Sequence, residues 1–353
     1  MLRGYRHKGY SFVLRLISLL MTSYELGFGS YILCADKNLV AGRFLISLGS
    51  ITFALFCVIA TSMRQIEGFA RVWYFPVAGY SFALGVCIWA IVILSTGRSA
   101  ADIVSGHMVL GAGMIALCVS TIALTSRHFL HIAANSLHKA NSSDRDISSY
   151  TRREVFLLAS IPASVALCGF VYGIYSIALP RLPEKLGGHA LMAQSFVCLS
   201  LTFIVYILAR QMNNTFLKKF KWRFSVYVVI NGLINIIWGV CVLCLRPRPF
   251  TTPGFGMIGL GLVCISISGK AHRVVGSWKG VSELAYFAAY FPALAGLCGL
   301  LLSAILFSAA VQNPLYLDSA YAVSGLAAVC VAIYGIVAIP VVDPLSPDRD
   351  PVF

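Results

Sequence analysis

Two histidines stand where an imidazole could do chemistry at a membrane. His107 and His189 each follow a glycine, Gly106 and Gly188, and each opens a long apolar run. Imidazole titrates near neutral pH, so such a pair predicts a group that gains charge on acidification. Arg43 follows Gly42 in the same setting and adds a fixed positive charge. Together the three suit pH sensing or ion selection at an outer mouth. The plainer use of each histidine is a hydrogen bond to a nearby loop carbonyl that pins the start of its helix.

Glu25 is the only carboxylate deep in an apolar run. A buried carboxylate is costly unless it carries a proton or meets a cation. Arg43, one short loop later, is the expected cation, while Arg15 lies ten residues earlier near the inner interface. Gln194, Asn231 and Asn235 are further polar residues within apolar runs. Asn231 and Asn235 are four apart and share a helix face. Such amides either hydrogen-bond neighbouring helices or line a water-filled path.

Other patterns carry less. Gly254-Phe255-Gly256-Met257-Ile258-Gly259 matches G-x-G-x-x-G, but a dinucleotide site needs a preceding strand, and this run is apolar and helical. Cys241 and Cys244 form a C-x-x-C with no second ligand pair nearby, and the eleven cysteines sit in or beside apolar runs as small hydrophobes. His128, His131 and His138 read as an incidental solvated cluster. There is no nucleophile elbow, P-loop or H-E-x-x-H. The expectation is no enzyme activity, no metal and no cofactor.

The elements that hold these residues repeat. GRFLISLGSITFA starts at Gly42, GHMVLGAGMIALC at Gly106, GHALMAQSFVCLS at Gly188, GFGMIGLGLVCIS at Gly254 and AYAVSGLAAVCVA at Ala320. Counting the first residue as position zero, position five is Ser47, Gly111, Ala193, Gly259 and Gly325. Position seven is Gly49, Gly113, Ser195, Gly261 and Ala327, and position ten is Thr52, Ala116, Cys198, Cys264 and Cys330. Position nine is β-branched in all five copies. Small residues let membrane helices approach closely. At about 100° per residue, positions zero, seven and ten share one side, and five and twelve lie nearly opposite. A helix small on two sides suits packing between two neighbours. Five such helices predict a ring, with an unsymmetric bundle as the alternative.

Of the 353 residues, 59% are hydrophobic and 11% charged, against about 25% charged in soluble domains. Ten apolar runs reach the roughly 20 residues that cross a bilayer, near 12–33, 43–63, 73–95, 106–125, 155–179, 189–209, 225–245, 254–272, 285–309 and 319–341. The first is too long for a signal peptide and lacks an A-x-A site, so it reads as a transmembrane helix. The net charge of +14 follows sidedness. With a cytoplasmic N-terminus, 20 of the 27 Lys and Arg fall inside, and only Lys37, Arg43, Arg98, Arg181, Lys185, Arg246 and Arg248 fall outside. The basic balance therefore suits membrane lipid, and no nucleic-acid partner is expected. Two spans per copy keep all copies parallel, unlike the inverted repeats of many transporters.

The segment VSGHMVLGAGMIALCVSTIALTSRHF, from Val104 to Phe129, resembles the YhiM-type family of bacterial inner-membrane proteins. The GH-headed helix, the I-x-x-C-V-S-T run and the following R-H-F carry the likeness. It extends through GGHALMA at 187–193 and GLAAVC at 325–330. The resemblance implies an inner-membrane location and a role in acid-stress survival, without a reaction or a substrate. The chain departs from it at Arg43, where the family's first repeat looks like it carries His.

The reading is an all-α polytopic membrane protein, one domain over 1–353. Its five parallel two-helix repeats are 12–63, 73–125, 155–209, 225–272 and 285–341, around a pseudo-five-fold axis, with 126–154 as a cytoplasmic loop and both termini cytoplasmic. The functional expectation is a channel or transporter-like protein for a small ion or solute, with a pore along the axis and an acid-responsive gate. The alternative is a non-conducting scaffold or stress protein that binds partners through its cytoplasmic loops. A polar path along the axis separates the two. Oligomeric state stays open.

Overall fold

The computed structural model describes the backbone of residues 2–66, 72–138, 145–210, 217–245, 251–279, 287–288 and 290–338, with side chains over narrower ranges within these. It is all-helical among the described residues. The helices, in chain order, are α1 (Leu2–Cys34), α2 (Leu39–Ile66), α3 (Tyr74–Thr96), α4 (Ala100–His138), α5 (Arg145–Ala178), α6 (Leu182–Arg210), α7 (Leu217–Leu245), α8 (Thr251–Lys279), α9 (Phe291–Gln312) and α10 (Leu317–Val337). All ten are long and apolar enough to cross a membrane. Each expected span overlaps an observed one, with starts displaced by up to seven residues, as at Leu182 against 189, and with residues 285, 286, 289 and 339–341 of the last two expected spans outside the described residues.

Two classes of helix alternate. The membrane-crossing parts of α2, α4, α6, α8 and α10 are between 67% and 83% buried, while those of α1, α3, α5, α7 and α9 reach 33% at most. The odd helices therefore form an outer layer whose large apolar side chains, such as Leu167 and Ile305, point away from the protein. Those side chains need lipid as their solvent. The even helices carry the small-residue repeat. They pack in the order α2 on α4, α4 on α6, α6 on α8, α8 on α10 and α10 on α2, which is a closed cycle. No inner helix packs comparably on a third. Each outer helix lies against its own inner helix and the one before it: α3 on α4 and α2, α5 on α6 and α4, and α1 on α2 and α10.

The small positions explain the spacing. At position zero, a Cβ on Gly188 would stand 2.8 Å from the carbonyl oxygen of Gly173 on α5, and one on Gly254 would stand 3.2 Å from that of Gly239 on α7. Gly42 faces the Gly29 carbonyl at 3.0 Å, and Gly106 faces Leu94 at 2.7 Å. Position seven faces the same outer helix: Gly49 meets Leu26, Gly113 meets Cys87, and Gly261 meets the Gly232 carbonyl. Position five instead faces the next inner helix. Gly111 lies under Gln194, Gly259 under Leu326, and Gly325 under Leu45 and Leu48. Without side chains at these places, helices interlock through close contact, the main source of association where lipid replaces water.

Positions four and eleven mark the outward side of the inner helices. Phe53, Leu117, Leu199, Ile265 and Val331, all at position eleven, are part-exposed. About half a turn away lie positions two, six, nine and thirteen, and all twenty of those residues are buried. Position nine is Ile51, Ile115, Val197, Val263 and Val329, each 2% exposed or less. Position thirteen is Leu55, Val119, Leu201, Ile267 and Ile333. These side chains belong to one continuous apolar cluster. Among the described residues, the layers at positions nine and thirteen are aliphatic throughout, and Gln194 at position six is the polar side chain among these twenty.

One further expectation differs. The polar segment 126–154 read as a loop, yet α4 continues to His138 and α5 starts at Arg145. Hydropathy marks where an apolar run stops and not where a helix stops. The side chains of His128, His131 and His138 lie outside the described residues.

Candidate functional site

Position one holds the histidines and Arg43, and its geometry is shared around the cycle. Every position-one side chain reaches across a seam to the following repeat. Arg43 on α2 donates through Nη1 to Asp102 Oδ1 at 2.6 Å and to Ser105 Oγ at 3.0 Å, both on α4. His107 on α4 reaches Ser176 and Tyr172 on α5. His189 on α6 meets Trp238 on α7 edge to face, with ring centroids 5.7 Å apart. Phe255 on α8 meets Tyr316, which precedes α10. Tyr321 on α10 meets Phe28 on α1 and so returns to the first repeat.

The His107 contacts fix its tautomer. Nδ1 lies 2.8 Å from the Ile103 carbonyl oxygen, which can only accept, so Nδ1 carries the proton. Nε2 lies 3.1 Å from Ser176 Oγ, and in the neutral ring it accepts from that hydroxyl. The ring is 2% exposed and stacks on Tyr172 at 5.3 Å with an 11° tilt. Gly187 on α6 closes over it, since a Cβ there would touch the ring. His107 therefore ties three helices together and does not face the centre of the ring. The expected outer mouth of two histidines and one arginine is not assembled: each side chain occupies its own seam.

Arg43 was the expected partner of Glu25, and it bonds Asp102 instead. Asp102 was not singled out from sequence, although Ser99-Ala100-Ala101-Asp102 has the S-x-x-D form of a capping box. Ser99 Oγ donates to Asp102 Oδ2 at 2.7 Å and accepts from the Asp102 backbone N–H at 3.0 Å. The cap holds one carboxylate oxygen at the start of α4 and leaves Oδ1 for Arg43.

Glu25 is fully buried between α1 and α2. Oε2 is 2.6 Å from Thr52 Oγ1 at position ten, and Oε1 has no hydrogen-bond partner among the described residues. The three amides bond across helices. Gln194 Nε2 donates to the Met108 carbonyl at 2.9 Å, Asn231 Nδ2 to Ser200 Oγ at 3.1 Å, and Asn235 Nδ2 to the Ala193 carbonyl at 3.1 Å. The oxygens of Gln194 and Asn235 are buried, with no hydrogen-bond partner among the described residues. Lys270, at position sixteen on α8, was not singled out from sequence and donates to the Ile336 carbonyl of α10 at 3.1 Å.

The G-x-G-x-x-G run lies wholly inside α8. Cys241 and Cys244 are exposed on α7. Among the described residues, no three His, Cys, Asp or Glu side chains form a metal-binding group.

The family described as "Protein of unknown function (DUF2776)" matches residues 7–341. The chain is similar to Inner membrane protein YhiM of Escherichia coli (strain K12), at 30% identity over 334 residues, covering 92% of this chain and 95% of that one. No solved structure matches. A match over nearly the full length, together with ten spans of the expected kind, places the chain: it belongs to the DUF2776 family of membrane proteins and is a relative of YhiM.

Proposed function

We propose that this protein acts in the inner membrane as a solid-cored helical bundle and not as a standing pore, with a role in withstanding acid. The observation that carries this reading is the pair of buried aliphatic layers at positions nine and thirteen. Water and ions find no polar partners there, and an apolar constriction of that depth excludes both. Both termini lie in the cytoplasm on this reading, as the excess of basic residues on that side favours. Partners dock on the cytoplasmic helix ends.

A second reading is a channel held shut by those same layers. Two polar groups on the central face favour it, Gln194 at position six and Lys270 at position sixteen. Flux of potassium or protons into proteoliposomes separates the two. The expected result is flux no greater than in protein-free vesicles, with the outer face held at neutral or at acid pH. Flux that appears on acidification would replace the first reading by the second, and sustained flux at neutral pH would overturn the closed core.

A further inference from the structure

We propose that Glu25 is a proton-binding site inside the membrane, a neutral carboxylic acid that closes the seam between α1, α2 and α10 and loosens it when the proton leaves. This stands whether or not the axis conducts. Three observations carry it.

The first is a count of protons. Thr52 Oγ1 lies 2.6 Å from Glu25 Oε2 and 3.1 Å from the carbonyl oxygen of Gly49. A hydroxyl has one proton, and a carbonyl only accepts. With Glu25 ionised, one proton must serve two acceptors. With Glu25 protonated, the carboxyl donates to Thr52 and Thr52 donates to Gly49, so each contact has its own proton.

The second is the absence of a counter-charge. Among the described residues no ion pair reaches Glu25, and Oε1 is buried without a partner. The titratable groups on the two helices packed against α1 are otherwise engaged or distant in sequence level. On α2, Arg43 bonds Asp102, Cys57 packs toward Gly79 of α3, and Arg64 sits at the far end. On α10, Asp318 and Tyr321 lie near its start, Cys330 is a buried thiol, and Tyr334 lies in its last turn. Arg15 is ten residues away, about 15 Å along the same helix. An unpaired carboxylate in such a seam is strongly unfavourable.

The third comes from the repeat. Gly29, Gly173 and Gly239 are the outer-helix glycines that cross the position-zero glycines Gly42, Gly188 and Gly254. Four residues before each stand Glu25, Gly169 and Asn235. Asn235 is therefore the counterpart of Glu25. Both are fully buried, both leave one oxygen unpartnered, and both lie beside position ten of their own repeat, Thr52 and Cys264. The fold fills this place with an amide, neutral at every pH, in the fourth repeat. A protonated carboxyl is the matching group in the first. Only Glu25 can change its charge there.

The test uses the full-length protein in lipid bilayers and dicyclohexylcarbodiimide, an apolar reagent for protonated carboxyls. The carboxyl oxygen bonds to the central carbon of the carbodiimide, the acid proton moves to a nitrogen, and acyl transfer to nitrogen gives a stable N-acylurea without any redox change. The expected result is an adduct mapped by mass spectrometry to Glu25, with a yield that falls as pH rises. In parallel, the thermal midpoint of the parent in detergent should fall as pH rises, because losing the proton leaves a bare charge in the seam. Glu25→Gln should give no adduct at that site and should flatten this part of the pH dependence. No adduct at Glu25 at any pH, or a yield independent of pH, would overturn the proposal. So would a Glu25→Gln protein that keeps the parent's full pH dependence. If Glu25→Gln does not fold, the labelling of the parent still decides.

Discussion

Replacing Gly261 with leucine is expected to abolish the folded bundle. A Cβ at Gly261 would stand 2.5 Å from Ile236 Cγ1 and 2.7 Å from the carbonyl oxygen of Gly232. The isoleucine tip can swing, but the carbonyl belongs to the backbone of α7. A contact of 2.7 Å can be relieved only by moving α7 away from α8. The two helices cross again at Gly239 and Gly254, where a Cβ on Gly239 would meet the Gly254 carbonyl at 2.6 Å. Separating the helices at one crossing therefore strains the other. Overpacking typically costs about 1–3 kcal/mol and more where backbone must shift. Gly113→Leu should act the same way to a smaller degree, because its nearest contact is the Cys87 thiol at 2.7 Å. Gly85 supplies the control. It is exposed on α3 with nothing within 4 Å of its Cβ position, so Gly85→Leu should fold as well as the parent. Thermal unfolding in detergent reads all three, and a Gly261→Leu protein as stable as the parent would mean that α7 and α8 do not cross as described.

The second large effect is expected at the centre of the ring. Val263 is 2% exposed at position nine, among Ile51, Ile115, Val197 and Val329 from the other inner helices. Val263→Asp places a carboxylate in a layer that offers no hydrogen-bond donor. Burying an unpaired charge costs several kcal/mol at least, a large share of the about 5–15 kcal/mol that holds an ordinary protein together. The variant should fail to yield monodisperse protein. In a water-filled pore the same carboxylate would stay hydrated and cost little. A stable Val263→Asp protein with new cation flux would therefore count against the packed core.

The ten spans were legible because a bilayer sets the length of each helix and its apolar content. The second span, expected over 43–63, is observed over Leu39–Arg64. That positions zero and seven form a close-packed side was legible too, since small residues there allow close approach; that the neighbour on this side is the outer helix of the same repeat was not. The destinations of the polar side chains were not. Position one falls between two neighbours, and helix periodicity cannot say whether such a residue turns to the centre or to the seam. His107 turns to Ser176, and Arg43 to Asp102. The Arg43 partner lies 59 residues away, while the expected partner, Glu25, was chosen for its nearness along the chain. The S-x-x-D cap at Ser99 was the readable sign that Asp102 would be held in place. The counterpart relation between Glu25 and Asn235 was also hidden, because the outer helices share few residue types and only their glycine crossings align them.

The most direct test of the closed core is the accessibility of position nine to water. Ile115→Cys and Val263→Cys are to be made singly after the exposed cysteines Cys34, Cys168, Cys241, Cys244 and Cys298 are replaced by serine or alanine. Each protein, reconstituted in vesicles, is treated from either side with a small charged methanethiosulfonate reagent. The packed core predicts no reaction at either position in the folded protein, from either side, and full reaction after denaturation. Rapid modification of Ile115→Cys or Val263→Cys in the folded protein would show water at the axis and contradict the account.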